Sequence, residues 1–171
     1  LGSKAAQEKK MTKLEYLTHD IMDNYYADII RKLSKDCIKP DVVFAPMRGG
    51  ADFGIKVSNY YDIPFESFQW QTRSGQEKNA EYLIELLNKH KSKLILIVDD
   101  ICDTGYTFKC VAEIVDRFNI DKAQSDFTVV LFAAAIENLE CDFECDYSSR
   151  EINRSDDNQW FVFPWESWWR R

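Results

Sequence analysis

Lys93-Leu94-Ile95-Leu96-Ile97-Val98-Asp99-Asp100-Ile101-Cys102-Asp103-Thr104-Gly105-Tyr106-Thr107 is the stretch from which both fold and chemistry are read. Five consecutive aliphatics, Leu94 to Val98, are the pattern of a central parallel strand covered on both faces. Three carboxylates, Asp99, Asp100 and Asp103, then fall within five positions at the end of that strand. Desolvation and mutual repulsion make such a cluster costly unless cations or hydroxyl donors meet it. Thr104, Gly105, Tyr106 and Thr107 open a helix, supplying hydroxyls, amides and the positive end of a dipole, which together make a phosphate socket. One loop thus offers acceptors for hydroxyls or Mg²⁺ beside donors for a phosphate, and a sugar phosphate has both needs.

Outward from this stretch, strand and helix signals alternate. Apolar residues recur at three- and four-residue steps from Lys13 to Leu33 (Leu14, Leu17, Ile21, Tyr25, Ile29, Ile30, Leu33), which predicts an amphipathic helix. Val42 to Ala45 reads as a short buried strand, Pro46 to Gly50 as a turn, Ala51 to Tyr60 as a helix and Phe65 to Gln69 as a strand. Trp70 to Lys78 is polar and aperiodic, a long loop. Ala80 to Lys89 and Thr104 to Phe118 read as helices and Phe127 to Ala134 as a buried strand. Glu137 to Asn158 is acidic and irregular, and Trp160 to Trp165 gathers aromatics. The alternation predicts a Rossmann-like, mainly parallel twisted α/β sheet flanked by helices, with ligands beyond the carboxyl ends of its strands.

Composition narrows the classes. The 171 residues suit one domain, and 45 % apolar with 14 % aromatic content argues against disorder. Lys and Arg number 22 against 29 Asp and Glu, a net charge of -7 that argues against sequence-blind nucleic-acid binding. No apolar run approaches the roughly 20 residues of a membrane span. Leu1 to Lys10 lacks the apolar core of a secretory leader and reads as a cloning remnant plus a charged, frayed tail. Five cysteines without a CxxC pair predict reduced thiols and a cytoplasmic setting. Cys141 and Cys145 could meet across a helical turn and hold zinc with a distant His, although buried or idle thiols explain them more simply. With His19 and His90 the only histidines, a His-based triad or multi-His metal centre has little to build on.

Glycine placement supports the loop reading. Gly49, Gly50 and Gly54 crowd the turn after the first buried strand and its helix, and Gly105 follows the central strand, so two neighbouring strand ends admit close approach of a ligand to backbone. Ordinary tight turns would explain one such pair but not both. Asp99 to Asp103 also matches the DDxxD pattern of all-helical prenyl synthases, but here it ends a strand in a much shorter chain. A phosphatase DxDx[TV] motif needs aspartates two apart, whereas Asp99 and Asp100 are adjacent. Helix capping accounts for Thr104 and leaves three acids unexplained.

Ile97 to Thr107 resembles the 5-phosphoribosyl-1-diphosphate (PRPP) signature of type I phosphoribosyltransferases. Met47-Arg48-Gly49-Gly50 is similar to the diphosphate-binding SRGG turn of the bacterial and archaeal xanthine-guanine branch. Trp160 to Glu166 resembles that branch's base-binding tail, in which an aromatic precedes an acid by six positions. The resemblance runs in order from about Tyr16 to Glu166. It implies residues 1–12 as a tail and 13–171 as one domain, with a small hood formed by the N-terminal helix and the C-terminal segment.

The resemblance also implies roles. Asp99 and Asp100 would hold the ribose hydroxyls and the Mg²⁺ shell, and Asp103 would accept a proton near N7 of a purine. Thr104, Gly105, Tyr106 and Thr107 would wrap the 5-phosphate. Arg48 and Gly49 would meet the diphosphate, often across a cis peptide before the arginine, with Arg48 neutralising the leaving group. Trp160 would stack on the base, with main-chain groups around Phe161 and Glu166 reading its edge. Thr72, Arg73 and Ser74 make the polar loop a candidate lid that keeps water from the reactive carbon. The expected partners are PRPP and a purine base, in a homo-dimer or tetramer, with no nucleic acid or membrane. One departure stands out: Ala134 occupies the place of the branch's O6-reading lysine, so base identity is less secure than reaction class. Trp165, Trp168 and Trp169 are expected to bury against the domain or a neighbouring subunit rather than touch ligand.

Overall fold

β4 (Leu94–Cys102) is the axis of a five-stranded parallel sheet ordered β3 (Phe65–Gln69), β2 (Val42–Met47), β4, β5 (Val129–Asn138), β6 (Tyr147–Ile152). The computed structural model describes residues 13–70, 80–91, 93–120, 122–156, 159–167 and 169. Alternate side chains of the central strands point to opposite faces. Val43, Ala45, Leu96 and Val98 pack against α1 (His19–Lys35) and α2 (Ala51–Tyr61). Val42, Phe44, Ile95 and Ile97 pack against α3 (Ala80–Lys89) and α4 (Tyr106–Asn119). Both faces of β4 are therefore covered, as its unbroken aliphatic run requires.

A second, two-stranded sheet pairs β1 (Leu14–Tyr16) in parallel with β7 (Trp160–Val162), which leads into the short α5 (Pro164–Ser167). Two features differ from the sequence reading. Helix α1 starts at His19 rather than Lys13, because Thr18 caps it by accepting the Ile21 N–H at 3.2 Å and the residues before it are drawn into pairing with β7. The N-terminal contribution to the hood is thus a strand. The acidic segment Glu137 to Asn158 is likewise not irregular throughout, since β5 runs on to Asn138 and β6 forms the sheet edge. Tyr-Ser-Ser-Arg-Glu-Ile carries little apolar signal because α1 meets it with polar groups. Lys32 donates to the Ser148 carbonyl at 2.6 Å, Tyr147 to Asp36 at 3.0 Å and Ser149 to Asp28 at 3.1 Å.

Helix α4 begins two residues later than expected, leaving Thr104 and Gly105 in the loop before it. Residues 141–145 form no helix, so Cys141 and Cys145 are not one helical turn apart. Among the described residues no helix is long and apolar enough to cross a membrane.

Candidate active site

The carboxyl end of β4 and the N-terminus of α4 converge under the hood. β4 stays paired with β5 through Cys102, opposite Glu137, so Asp99 and Asp100 lie on the strand itself and Asp103 just beyond it. Asp100 is buried, and its main-chain N–H donates to Asp99 Oδ1 at 3.0 Å. Burial, with Glu166 nearby, pushes the Asp100 carboxyl up to about 7. Burial and the adjacent Asp100 also raise Asp99 well above the usual carboxylate range. A pair of crowded acids in this condition is a binding surface for a cation or for hydroxyl donors.

The turn after β2 covers these acids. A Cβ on Gly50 would lie 2.3 Å from the Val98 carbonyl oxygen, and one on Gly49 would lie 2.6 Å from Asp100 Oδ2. Only a residue without a side chain lets this turn rest against β4. The Met47–Arg48 peptide is cis, and the exposed Arg48 directly precedes Gly49, which lies against Asp100. On the other side, Gly105 precedes α4 at φ +74°, a left-handed conformation that suits glycine, and Thr104 Oγ1 accepts the Tyr106 N–H at 3.3 Å. Gly105 itself has no side chain to cap the helix, and the positive end of the α4 dipole lies two residues beyond Asp103 in the chain.

The structure adds Arg154, which the sequence reading missed. Its Nε donates to Asp103 Oδ1 at 2.6 Å, its Nη1 donates to the Gln159 carbonyl, and its guanidinium lies 5.3 Å from the Phe161 ring centre. Arg150 approaches the same ring at 5.0 Å while gripping Glu15 with both terminal nitrogens. Asn138 Nδ2 donates to the Asp103 carbonyl at 2.8 Å. Glu15 on β1, Arg150 on β6, Phe161 on β7 and Arg154 therefore link the hood to the acidic loop. The available signal was charge contrast: Arg150 and Arg154 are the basic residues of an otherwise acidic stretch.

In the hood, Trp160 is 50 % exposed and free to offer a ring face, whereas the Phe161 side chain is core and leaves only its main chain for a ligand. Glu166 Oε2 accepts the Phe163 N–H at 3.1 Å, and the Phe163 carbonyl accepts the Glu166 N–H at 3.0 Å. Trp165 stacks on Phe163, consistent with a packing role, while Trp169 lies on the surface of this chain and Trp168 lies outside the described residues. Thr72, Arg73 and Ser74 also lie outside the described residues. Ala134 pairs with Asp99 across β4 and β5 and is wholly buried, so it offers a ligand nothing polar from its side chain.

Among the described residues no three His, Cys, Asp or Glu side chains converge into a self-contained cation site. Two adjacent carboxylates still fit Mg²⁺, which accepts one or two protein oxygens and completes its shell with water and substrate phosphate.

A parallel sheet that ends in paired acids beside a helix start, roofed by a small hood, defines an α/β protein with its candidate site at the carboxyl ends of the strands. A model of the phosphoribosyl transferase domain matches residues 14–168, and the chain belongs to that family of glycosyl-transferring proteins. Among solved structures it is similar to a purine phosphoribosyltransferase from Pyrococcus horikoshii Ot3, with 25 % identity over 91 % of this chain and 95 % of that one and a TM-score of 0.67. The xanthine-guanine-hypoxanthine phosphoribosyltransferase of Helicobacter pylori aligns over the same shares at 15 % identity and TM-score 0.67. A Neisseria gonorrhoeae protein with bound ppGpp aligns over 91 % of this chain and 90 % of that one, at 19 % identity and TM-score 0.65. No curated protein sequence matches the chain.

Proposed function

We propose that this protein is a Mg²⁺-dependent purine phosphoribosyltransferase, joining the 5-phosphoribosyl group of PRPP to guanine, xanthine or hypoxanthine and releasing diphosphate. The observation that carries this reading is the meeting of three parts: the Asp99–Asp100 pair, the glycine-led start of α4, and a hood that Arg154 ties to Asp103. The similarity to the Pyrococcus enzyme favours a purine.

In this reading Thr104 to Thr107 hold the 5-phosphate, while Asp99 and Asp100 take the ribose hydroxyls and the metal. Held by Asp99 and Asp100, Mg²⁺ would supply charge neutralisation for a departing diphosphate. Arg48 and the Gly49 amide hold that leaving group where its charge grows, as the anomeric carbon becomes oxocarbenium-like. Trp160 stacks on the base and fixes its nitrogen against that carbon. Asp103 accepts the base proton, and Arg154 holds its carboxylate in place, leaving one oxygen free of the arginine. The buried Ala134 supports a second reading in which a different base is used, or in which PRPP is bound by a regulatory module without turnover.

An absorbance or radiolabel assay with PRPP, with and without Mg²⁺, against guanine, xanthine, hypoxanthine and adenine separates these. Metal-dependent nucleotide formation from a 6-oxopurine supports the proposal. Turnover of adenine alone reassigns the base, and PRPP binding without turnover of any base favours the regulator.

A further inference from the structure

Three of the five cysteines meet behind the phosphate-binding loop. Cys102, the last residue of β4, has its sulfur 3.9 Å from that of Cys141, and Cys145 lies within hydrogen-bonding reach of the same Cys102 thiol. All three are free thiols. They come from separate places: Cys102 directly precedes Asp103, whereas Cys141 and Cys145 belong to the loop between β5 and β6. Cys141 and Cys145 line a cavity of about 540 Å³ together with Glu137, Phe143 and Tyr147, which gives a small solute a route to sulfur. The Cys141 thiol donates to the Phe143 carbonyl at 3.0 Å, holding it on the Cys102 side of that loop.

We propose that Cys102 and Cys141 form a reversible disulfide under hydroperoxide, and that this bond reshapes the loop Asp103 to Thr107. Cys141, the more exposed of the two, gives up its proton and attacks one peroxide oxygen as the thiolate. The O–O bond breaks, the thiol proton leaves with the departing hydroxide as water, and Cys141 becomes a sulfenic acid. The Cys102 sulfur then attacks the Cys141 sulfur, expelling hydroxide that takes the Cys102 proton as a second water. Two thiols are oxidised and one peroxide is reduced to two waters.

Bonding requires the sulfurs to approach by about 2 Å, and the loop is tightly packed where that motion occurs. A Cβ on Gly105 would stand 3.2 Å from Cys141 Sγ and 2.7 Å from Phe143 Cβ, so Cys141 and Phe143 form the floor on which the left-handed Gly105 rests. Drawing Cys141 toward Cys102 alters that floor and shifts the amides of Thr104 to Thr107. A dithiol reductant restores them.

The test treats the protein with hydrogen peroxide and maps non-reduced peptides by mass spectrometry, alongside hydrogen exchange of residues 103–107. The expected result is a Cys102–Cys141 cross-linked peptide lacking two hydrogens, at least a fivefold change in exchange over the loop (roughly, on the scale of local openings), and reversal of both by dithiothreitol. Cys141→Ser is expected to lose the cross-link, while Cys37→Ser with Cys110→Ser keeps it. Cross-links confined to other cysteines, or a Cys102–Cys141 bond without any change in loop exchange, overturn the proposal. None of these readouts requires turnover, so they stand apart from the assignment of PRPP and base.

Discussion

Arg154 Nε and Asp103 Oδ1 are joined at 2.6 Å, tying the segment after β6 to the acidic loop after β4. The same guanidinium reaches the Gln159 carbonyl at the entrance to the hood. An arginine bonded to both holds the candidate proton acceptor at a fixed angle to the hood. Arg154→Gln is expected to lower kcat by about 10- to 100-fold with little change in KM for PRPP. Arg154→Lys, which keeps the charge but not the fork, recovers part of the loss. Steady-state kinetics with both variants checks this.

Asp103→Asn removes the proposed proton acceptor while keeping the shape. Turnover is expected to fall by about 10²- to 10⁴-fold, the usual range for general-base loss, with PRPP affinity nearly unchanged. Calorimetric titration of PRPP beside the rate assay separates the two, and an unchanged rate removes the role assigned to Asp103.

Thr107 stands in the first turn of α4, where its hydroxyl can face a phosphate. Thr107→Val is expected to weaken PRPP binding about tenfold, the worth of one hydrogen bond to a charged group. Unaltered affinity would place the phosphate elsewhere.

Gly50 lies against the Val98 carbonyl, where an added Cβ would sit at 2.3 Å. Backbone must move to relieve that contact. Gly50→Ala is therefore expected to cost about 2–4 kcal/mol of stability and to displace Arg48 and Gly49 from the acids, lowering Tm and turnover together.

Far from the site, Glu66 Oε1 accepts from His90 Nε2 at 2.8 Å and from Lys89 Nζ at 2.6 Å. Burial alone would raise the Glu66 carboxyl, but the hydrogen bonds from Lys89 and His90 outweigh it and hold the group below its ordinary value. A carboxyl lowered on folding adds stability above the unfolded titration, near pH 4, and loses it as pH falls. Lys89 is mostly exposed, so water screens its share and the bond to His90 carries more of the effect. Glu66→Gln is expected to cost about 1–2 kcal/mol at pH 7 and almost nothing near pH 3, read by denaturant unfolding at both values.

The central sheet was legible because β4 and its neighbours carry long aliphatic runs that have no other stable solution. The acids and glycines of the site were legible because such types are costly where they sit unless a ligand or a tight approach explains them. β1 was hidden because Leu14 and Leu17 fit a helical period equally well, and only pairing with a strand about 146 residues away decides between the two. β6 was hidden because its partners on α1 are polar, so an edge strand needed no apolar stripe. Arg154 was hidden for a related reason. Its partner Asp103 is 51 residues away along the chain, and nothing local to either residue announces the pair.

The pairing of Leu14 with Trp160 has a consequence for synthesis. On the ribosome, β2, β3 and β4 can be in place once the chain has passed Cys102, with the acids and the start of α4 close behind. The aromatic shelf must wait until Val162 emerges and comes back to the strand made first. A nascent chain therefore carries the paired acids before the hood that β1 and β7 form exists, and that hood is completed only when the two ends of the domain meet.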